Sequence, residues 1–108
     1  MEKPGSAMEI EWSQVSKAVD GIFQHWEAQS KNGSIKFLKF DPGSSYPVHH
    51  HPDRVEWLYV LSGRMIATID SVEHDLAKGE YAAFPVNSNH SLRAGKDGAL
   101  VLVVALNE

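Results

Sequence analysis

Turn-forming residues interrupt the sequence at short intervals, and this spacing constrains the fold more than any other feature. Between turn signals such as Asp41-Pro42-Gly43, Ser62-Gly63 and Lys78-Gly79 lie short segments rich in β-branched and aromatic residues. The clearest predicted strands cover residues 34–41, 55–61, 64–69, 72–77, 81–84, 90–93 and 99–106. Many short strands with regular turns are typical of an all-β sandwich or barrel, so we predict an antiparallel all-β fold.

The amino-terminal part departs from this pattern. Apolar residues recur there at helical spacing, at Val15, Ala18, Val19 and Ile22. With Ser13 as a cap and Gly21 as a stop, this spacing predicts one short helix over residues 13–20. Residues 21–29 are predicted to be a strand that forms a hairpin with residues 34–41. We therefore divide the chain into an N-terminal extension, residues 1–20, and a single β-barrel domain, residues 21–108.

Composition excludes several classes of function. The 108 residues include no cysteine, so thiolate nucleophiles, disulfides and iron–sulfur clusters are ruled out. Ten Lys and Arg against fourteen Asp and Glu give a net charge of −4, which argues against nucleic acid and anionic membranes as partners. The first eight residues contain no apolar run, and the longest apolar run, residues 99–106, is too short to span a bilayer. We expect a cytoplasmic protein.

Histidine and glutamate side chains form the most informative cluster. In a strand, His49 and His51 point to the same side, while His50 points to the other. Glu56 shares a face with Leu58 and Val60, which places a carboxylate on an apolar, inward-facing side of a strand. A buried carboxylate needs a cation or strong hydrogen-bond partners.

A divalent metal held by neighbouring imidazoles would satisfy Glu56, and His90 can complete the set if the sheet closes on itself. Three imidazoles and one carboxylate suit Fe, Mn, Ni, Cu, Co or Zn, and do not suit Ca or Mg. The residues alone leave another interpretation open. In it, the histidines form a solvated loop and Glu56 pairs with Arg54 at a strand edge.

Two spaced motifs resemble those of the cupin superfamily. The first consists of Gly43, five residues, His49, one residue, His51, four residues, Glu56, six residues and Gly63. The second consists of Gly79, five residues, Pro85, one residue, Asn87, two residues and His90. Two positions depart from the family pattern, because Asn87 replaces a glycine and Ala94 replaces the closing asparagine. Asn tolerates positive φ better than most residues, so the turn at Asn87 should survive.

The resemblance implies a small single-domain cupin of the RmlC-like type, with an antiparallel jelly-roll barrel over residues 21–108. It places the metal ligands at His49, His51, Glu56 and His90, with one divalent transition metal per chain as the cofactor. No catalytic residue is assigned. Such cupins include dioxygenases, oxalate-degrading enzymes, isomerases, lyases and sensory modules.

We expect an apolar cavity lined by Leu58, Val60, Phe84, Leu92 and Phe37, together with Met65 or Ile66. No cluster of Lys and Arg is expected there, which disfavours a sugar phosphate as substrate. An apolar pocket beside a His-rich metal favours a dioxygenase-like metalloenzyme acting on a small molecule that chelates the metal. The alternatives are a non-enzymatic cupin that senses a small molecule or metal, and a cupin lyase or isomerase.

The carboxyl-terminal strand, residues 99–106, is apolar on both faces. One face should line the interior, and the other needs a cover. A neighbouring sheet or the amino-terminal segment could serve as that cover, but a second copy of the chain is a natural one in so small a domain, so we expect a homodimer.

Overall fold

The computed structural model describes residues 4–7 and 9–108. Eight strands form within the described residues: β1 Ser13–Ser16, β2 Val19–Ser30, β3 Gly33–Phe40, β4 Ser45–His49, β5 Arg54–Ile69, β6 Val72–Ala77, β7 Tyr81–Phe84 and β8 His90–Asn107. No helix occurs in this part of the chain, so none is long and apolar enough to cross a membrane. Residues 1–3 and 8 of the predicted N-terminal extension lie outside the described residues.

All strand pairs are antiparallel, and two long strands organise them. The strand order is β1-β2-β3-β8-β5-β6, with β4 added on β8 and β7 added on β5. Strand β5 pairs with β8 along nearly its whole length, from Arg54 to Ile69. This arrangement is the predicted all-β jelly roll, in which one set of inward-facing side chains forms a shared interior.

The hairpin predicted between residues 21–29 and 34–41 is confirmed as β2 and β3. The predictions for 72–77 and 81–84 match β6 and β7 residue for residue. Ser62-Gly63 and residues 96–98 were expected to separate strands, but they lie inside β5 and β8, which continue through them. The β5–β8 register shifts between Val60 and Met65, so the strands bend there rather than turn back.

Gly63 makes this bend possible. It adopts a φ of 77°, and a Cβ at this position would collide with the backbone carbonyl of Gly98 on β8. Glycine is therefore required for two reasons, the positive φ and the close approach of two backbones.

The prediction of a helix over residues 13–20 is wrong. Strand β1 pairs with β2, with Ser16 opposite Val19. The Ser16 hydroxyl accepts a hydrogen bond from the Ala18 amide at 3.2 Å, which closes the tight turn between them. Val15 and Val19 both pack against the core from the two arms of this hairpin. Their spacing fits either structure, and the β-branched side chains favour the strands.

The core lies between the two halves of the folded sheet. Its largest fully buried side chains are Ile22, Phe40, Leu58, Val60, Met65 and Val101, each at most 2% exposed. On β8 the alternation is clear, because Ala99, Val101, Val103 and Ala105 are buried. Two polar side chains that bear on function, Glu56 and His90, are buried as well, at 7% and 3% exposure.

Candidate metal centre

Three histidines from two parts of the chain meet in one cluster. His49 ends β4, His51 follows in the loop and His90 begins β8. The β4–β8 register places His49 directly opposite His90. One ligand nitrogen from each ring lies within 4.8 Å of the others, a spacing at which a single metal ion can contact all three.

Glu56 approaches two of these histidines from β5. Its Oε1 lies 3.4 Å from His51 Nε2 and 3.7 Å from His90 Nε2. Its partner across the β5–β7 pair is Phe84, whose ring stacks on His90 with centroids 4.4 Å apart. The structure thus brings together the four residues that the sequence predicted as ligands. Their coordination of a metal remains a prediction.

Backbone carbonyls orient two of the imidazoles. His49 Nδ1 lies 2.8 Å from the Pro47 carbonyl, and His90 Nδ1 lies 3.2 Å from the Ser88 carbonyl. A carbonyl can only accept, so each Nδ1 carries a proton, and in the neutral ring this tautomer leaves the lone pair on Nε2. Such backbone bonds hold histidine in the tautomer that a metal requires.

His90 Nε2 gives the clearest indication of a missing partner. Among the described residues it is one of two buried side-chain nitrogens without a hydrogen-bond partner. Leaving a buried polar atom unpaired costs about 1–3 kcal/mol, so such atoms need an explanation. A metal ion bound among His49, His51 and His90 would provide one, and the donor set fits a divalent transition metal.

Burial also favours the ligand form of these rings. It lowers the pKa of His51, and the neighbouring Arg54 lowers it further, although Glu56 opposes both effects. Burial likewise lowers the pKa of His90, aided by His49. A neutral imidazole is the form that binds a metal, so both shifts prepare the cluster for one.

The pocket around the cluster is only partly apolar, and the prediction of an apolar cavity is wrong. Leu58, Phe84 and Leu92 line it as expected, but so do Lys36 and Arg54. Val60 and Met65 are sealed in the core instead. Phe37 faces the other side of β3, where it lines a surface cavity with residues near the amino terminus.

Lys36 is the residue that sequence reasoning missed. It lies on β3 opposite Trp26 of β2, and its Nζ is 4.8 Å from the centre of that ring. Burial lowers the pKa of Lys36, and Glu56 partly restores it. The alternation of side chains along a strand could have identified it. Lys36 lies on the same face of β3 as Leu38 and Phe40, both of which are buried.

Tyr46 also lines the pocket. A regular strand would point it away from His49, but the β4–β8 register shifts between Tyr46 and His49. The irregularity brings the two rings within 4.8 Å, centre to centre. His50 is exposed, as its parity predicts.

Comparisons with known proteins agree with this geometry. Residues 36–106 match the family model of the cupin domain. Part of the chain is 36% identical over 59 residues to quercetin 2,3-dioxygenase of Bacillus subtilis, which corresponds to 55% of this chain and 18% of that enzyme. Another match is 33% identical over 66 residues to oxalate decarboxylase of Arthroderma benhamiae, covering 56% of this chain and 16% of that protein. The chain thus spans less than a fifth of each curated relative.

Among solved structures, KdgF from Halomonas sp. superposes with a TM-score of 0.86. The match covers 100% of this chain and 96% of that one at 20% identity. At this level of identity the likeness establishes the jelly-roll fold and leaves the activity open.

Proposed function

The chain belongs to the cupin family, and from that premise we propose that it is a small metalloenzyme of the dioxygenase type. In this proposal His49, His51, Glu56 and His90 hold one divalent transition metal. The substrate is a small molecule that chelates this metal in the adjoining pocket. The observation that supports the metal site is the buried His90 Nε2, which has no hydrogen-bond partner among the described residues and lies 3.7 Å from Glu56 Oε1.

The residues around the cluster have definable tasks. When bound, a redox-active metal supplies Lewis acidity and a route for electrons to dioxygen. The Pro47 and Ser88 carbonyls fix the orientation of His49 and His90, and the Phe84 ring limits movement of His90 by stacking on it. Leu58 and Leu92 exclude water from one side of the pocket. Tyr46, which lines the pocket with its ring centre 4.8 Å from that of His49, is the candidate on β4 for moving a proton.

The relatives support two reactions unequally. The match to quercetin 2,3-dioxygenase favours oxygen chemistry, which needs few proton-transfer groups from the protein. The match to oxalate decarboxylase, together with Lys36 and Arg54 in the pocket, favours a lyase as the second candidate. A non-enzymatic sensor would keep the metal and the pocket without turnover.

The test is metal content measured on untagged protein, combined with oxygen uptake in the presence of diketones, catechols and thiols. We expect about one redox-active metal per chain and oxygen consumption that depends on one of these compounds. Metal without oxygen uptake would contradict the dioxygenase and favour the lyase or the sensor. Protein that takes up no metal after chelation and refilling would contradict the site itself.

We also propose a homodimer, formed through the outward side of β8. The inward-facing residues of β8 are buried, whereas Leu106 on its outward side is 50% exposed. Tyr59, on the adjacent strand β5, is 37% exposed. Light scattering should give about twice the mass of one chain. Leu106→Lys should then dissociate the dimer, and Val72→Lys, which alters a similarly exposed residue on β6, should not. A monomeric wild type would contradict this proposal.

A further inference from the structure

The pocket beside the histidine cluster carries more positive than negative charge. Lys36 and Arg54 are the lysine and arginine among its described lining residues, and Glu56 is the carboxylate. Two cationic side chains against one carboxylate leave the lysine, arginine and glutamate of this lining with one positive charge in excess. A divalent metal would raise that excess to about three charges. A partly buried site of this charge calls for an anionic occupant.

Lys36 is positioned to face such an occupant. Through the strand registers it lies beside Val103 of β8, which in turn lies beside Leu58 of β5. Leu58 is two residues from Glu56 on the same face of β5. Lys36 is therefore two strands away from Glu56 and shifted by two residues along the strand direction. Among the described residues its ammonium group has the Trp26 ring as a neighbour and no carboxylate within 4 Å.

Arg54 approaches the cluster from the other side. Its Nη2 lies 3.0 Å from His51 Nδ1, and its Nε is 3.9 Å from Glu56 Oε2. That Nε is the second buried nitrogen without a hydrogen-bond partner in the described part of the chain. A guanidinium group carries five N–H donors, so Arg54 has donors left for a negatively charged ligand in the pocket that it lines.

We propose that Lys36 and Arg54 form a carboxylate-binding subsite beside the metal centre. The molecule bound in the pocket then has two recognition elements, a chelating group for the metal and a carboxylate for the two cations. This inference rests on the proposed function, since it assigns a substrate class to the same site. Lys36 and Arg54 are specificity-determining residues in it, because they select the substrate by its charge.

The test compares two probes, catechol and 3,4-dihydroxybenzoate. Both chelate a metal through the same pair of neighbouring hydroxyl groups. The second carries one additional carboxylate. Binding to the cobalt-loaded protein is measured by calorimetry, with the metal content of each sample determined in parallel. Charge-assisted hydrogen bonds should make 3,4-dihydroxybenzoate bind at least about tenfold more tightly than catechol.

Lys36→Met and Arg54→Gln should each lower this ratio, and the double variant should bring it close to one. Lys39→Met is the matched control, since Lys39 lies on the opposite face of β3, with its Nζ 5.1 Å from the Trp12 ring and 5.2 Å from the Phe23 ring. The control should keep the wild-type ratio. A wild-type ratio near one, a ratio that survives in the double variant, or an equal loss in Lys39→Met would overturn the subsite.

A second experiment distinguishes a failure of the proposed metal centre from a failure of the subsite. If the wild type takes up no cobalt, the comparison is made with benzoate and benzamide on the metal-free protein, using Trp fluorescence because Lys36 lies over Trp26. Preference for benzoate that Lys36→Met removes would then support the subsite while the proposed function fails. Equal binding of the two compounds would overturn the subsite as well.

Discussion

The barrel contains two regions with buried side chains and opposite chemistry. In the sealed core, Ile22, Val60 and Met65 are at most 1% exposed, and their neighbours are apolar. In the pocket, Glu56 and His90 are also buried, at 7% and 3% exposure. Strand β5 supplies both regions, with Glu56 in one and Met65 in the other.

The two regions differ in whether their buried atoms have partners. The core buries carbon against carbon, which stabilises the fold at about 25 cal/mol per Å². The pocket keeps two buried nitrogens, His90 Nε2 and Arg54 Nε, unpaired within the described residues. Buried atoms without hydrogen-bond partners lower the stability of the fold. We therefore attribute the polar pocket to ligand binding and the apolar core to stabilisation of the fold.

The largest expected effect is on the core. Phe40→Ala removes a side chain that is 2% exposed and should lower the free energy of unfolding by about 3–5 kcal/mol, because the cavity it leaves cannot fully collapse. Urea unfolding followed by Trp fluorescence measures the change. Val72→Ala, at a position 57% exposed, is the control and should shift stability by less than about 0.5 kcal/mol. Similar losses in the two variants would mean that the core does not hold the fold.

Metal addition should stabilise the protein through the pocket. A free metal concentration 100 times the dissociation constant should raise the free energy of unfolding by about 2.7 kcal/mol, since the ion binds the folded chain. His90→Ala removes one donor and should lose most of this gain, which thermal melts with and without metal will measure. An equal gain in His90→Ala and wild type would place the ion elsewhere.

The next largest effect on stability is expected at Gly63, in the bend that separates the two halves of β5. Gly63→Ala forces a Cβ against the Gly98 carbonyl and should cost about 2 kcal/mol more than Gly79→Ala. Gly79 has a similar φ of 86°, but a Cβ there has open space, so it controls for backbone strain alone. Equal unfolding midpoints for the two variants would contradict the close approach of β5 and β8.

The smallest effect on stability is expected at Glu56. In the metal-free protein, Glu56→Gln should change the free energy of unfolding by less than about 1 kcal/mol, because the desolvation cost of burying the carboxylate offsets most of its attraction to Arg54 and His51. The same variant should weaken metal binding at least about tenfold. A metal-free variant several kcal/mol less stable than wild type would instead make Glu56 a structural residue.

Local patterns predicted the parts of the fold that depend on neighbours in sequence. Strands β6 and β7 were predicted correctly because Asp70-Ser71 and Lys78-Gly79 delimit them with turn residues. Asn87 takes the positive φ expected of it, at 66°. The helix prediction failed because the spacing of Val15 and Val19 fits a hairpin equally well, and pairing with β2 decided between the two.

The composition of the pocket depends on contacts between distant strands, which local patterns do not contain. Lys36 was overlooked because only the closed sheet brings the inner face of β3 toward Glu56. Tyr46 enters the pocket through an irregularity in the β4–β8 register that depends on pairing with β8. The four ligand candidates were found because the spacing of the two cupin motifs carries that long-range information.

The most direct test of the central claim is the ratio of bound metal to chain after chelation and refilling, measured by elemental analysis on untagged protein. His50→Ala and His74→Ala are matched controls, because both histidines are exposed. The account predicts about one metal per chain in the wild type and both controls, and a clear loss in His49→Ala, His51→Ala and His90→Ala. No stoichiometric metal in the wild type, or equal loss in the controls, would contradict it.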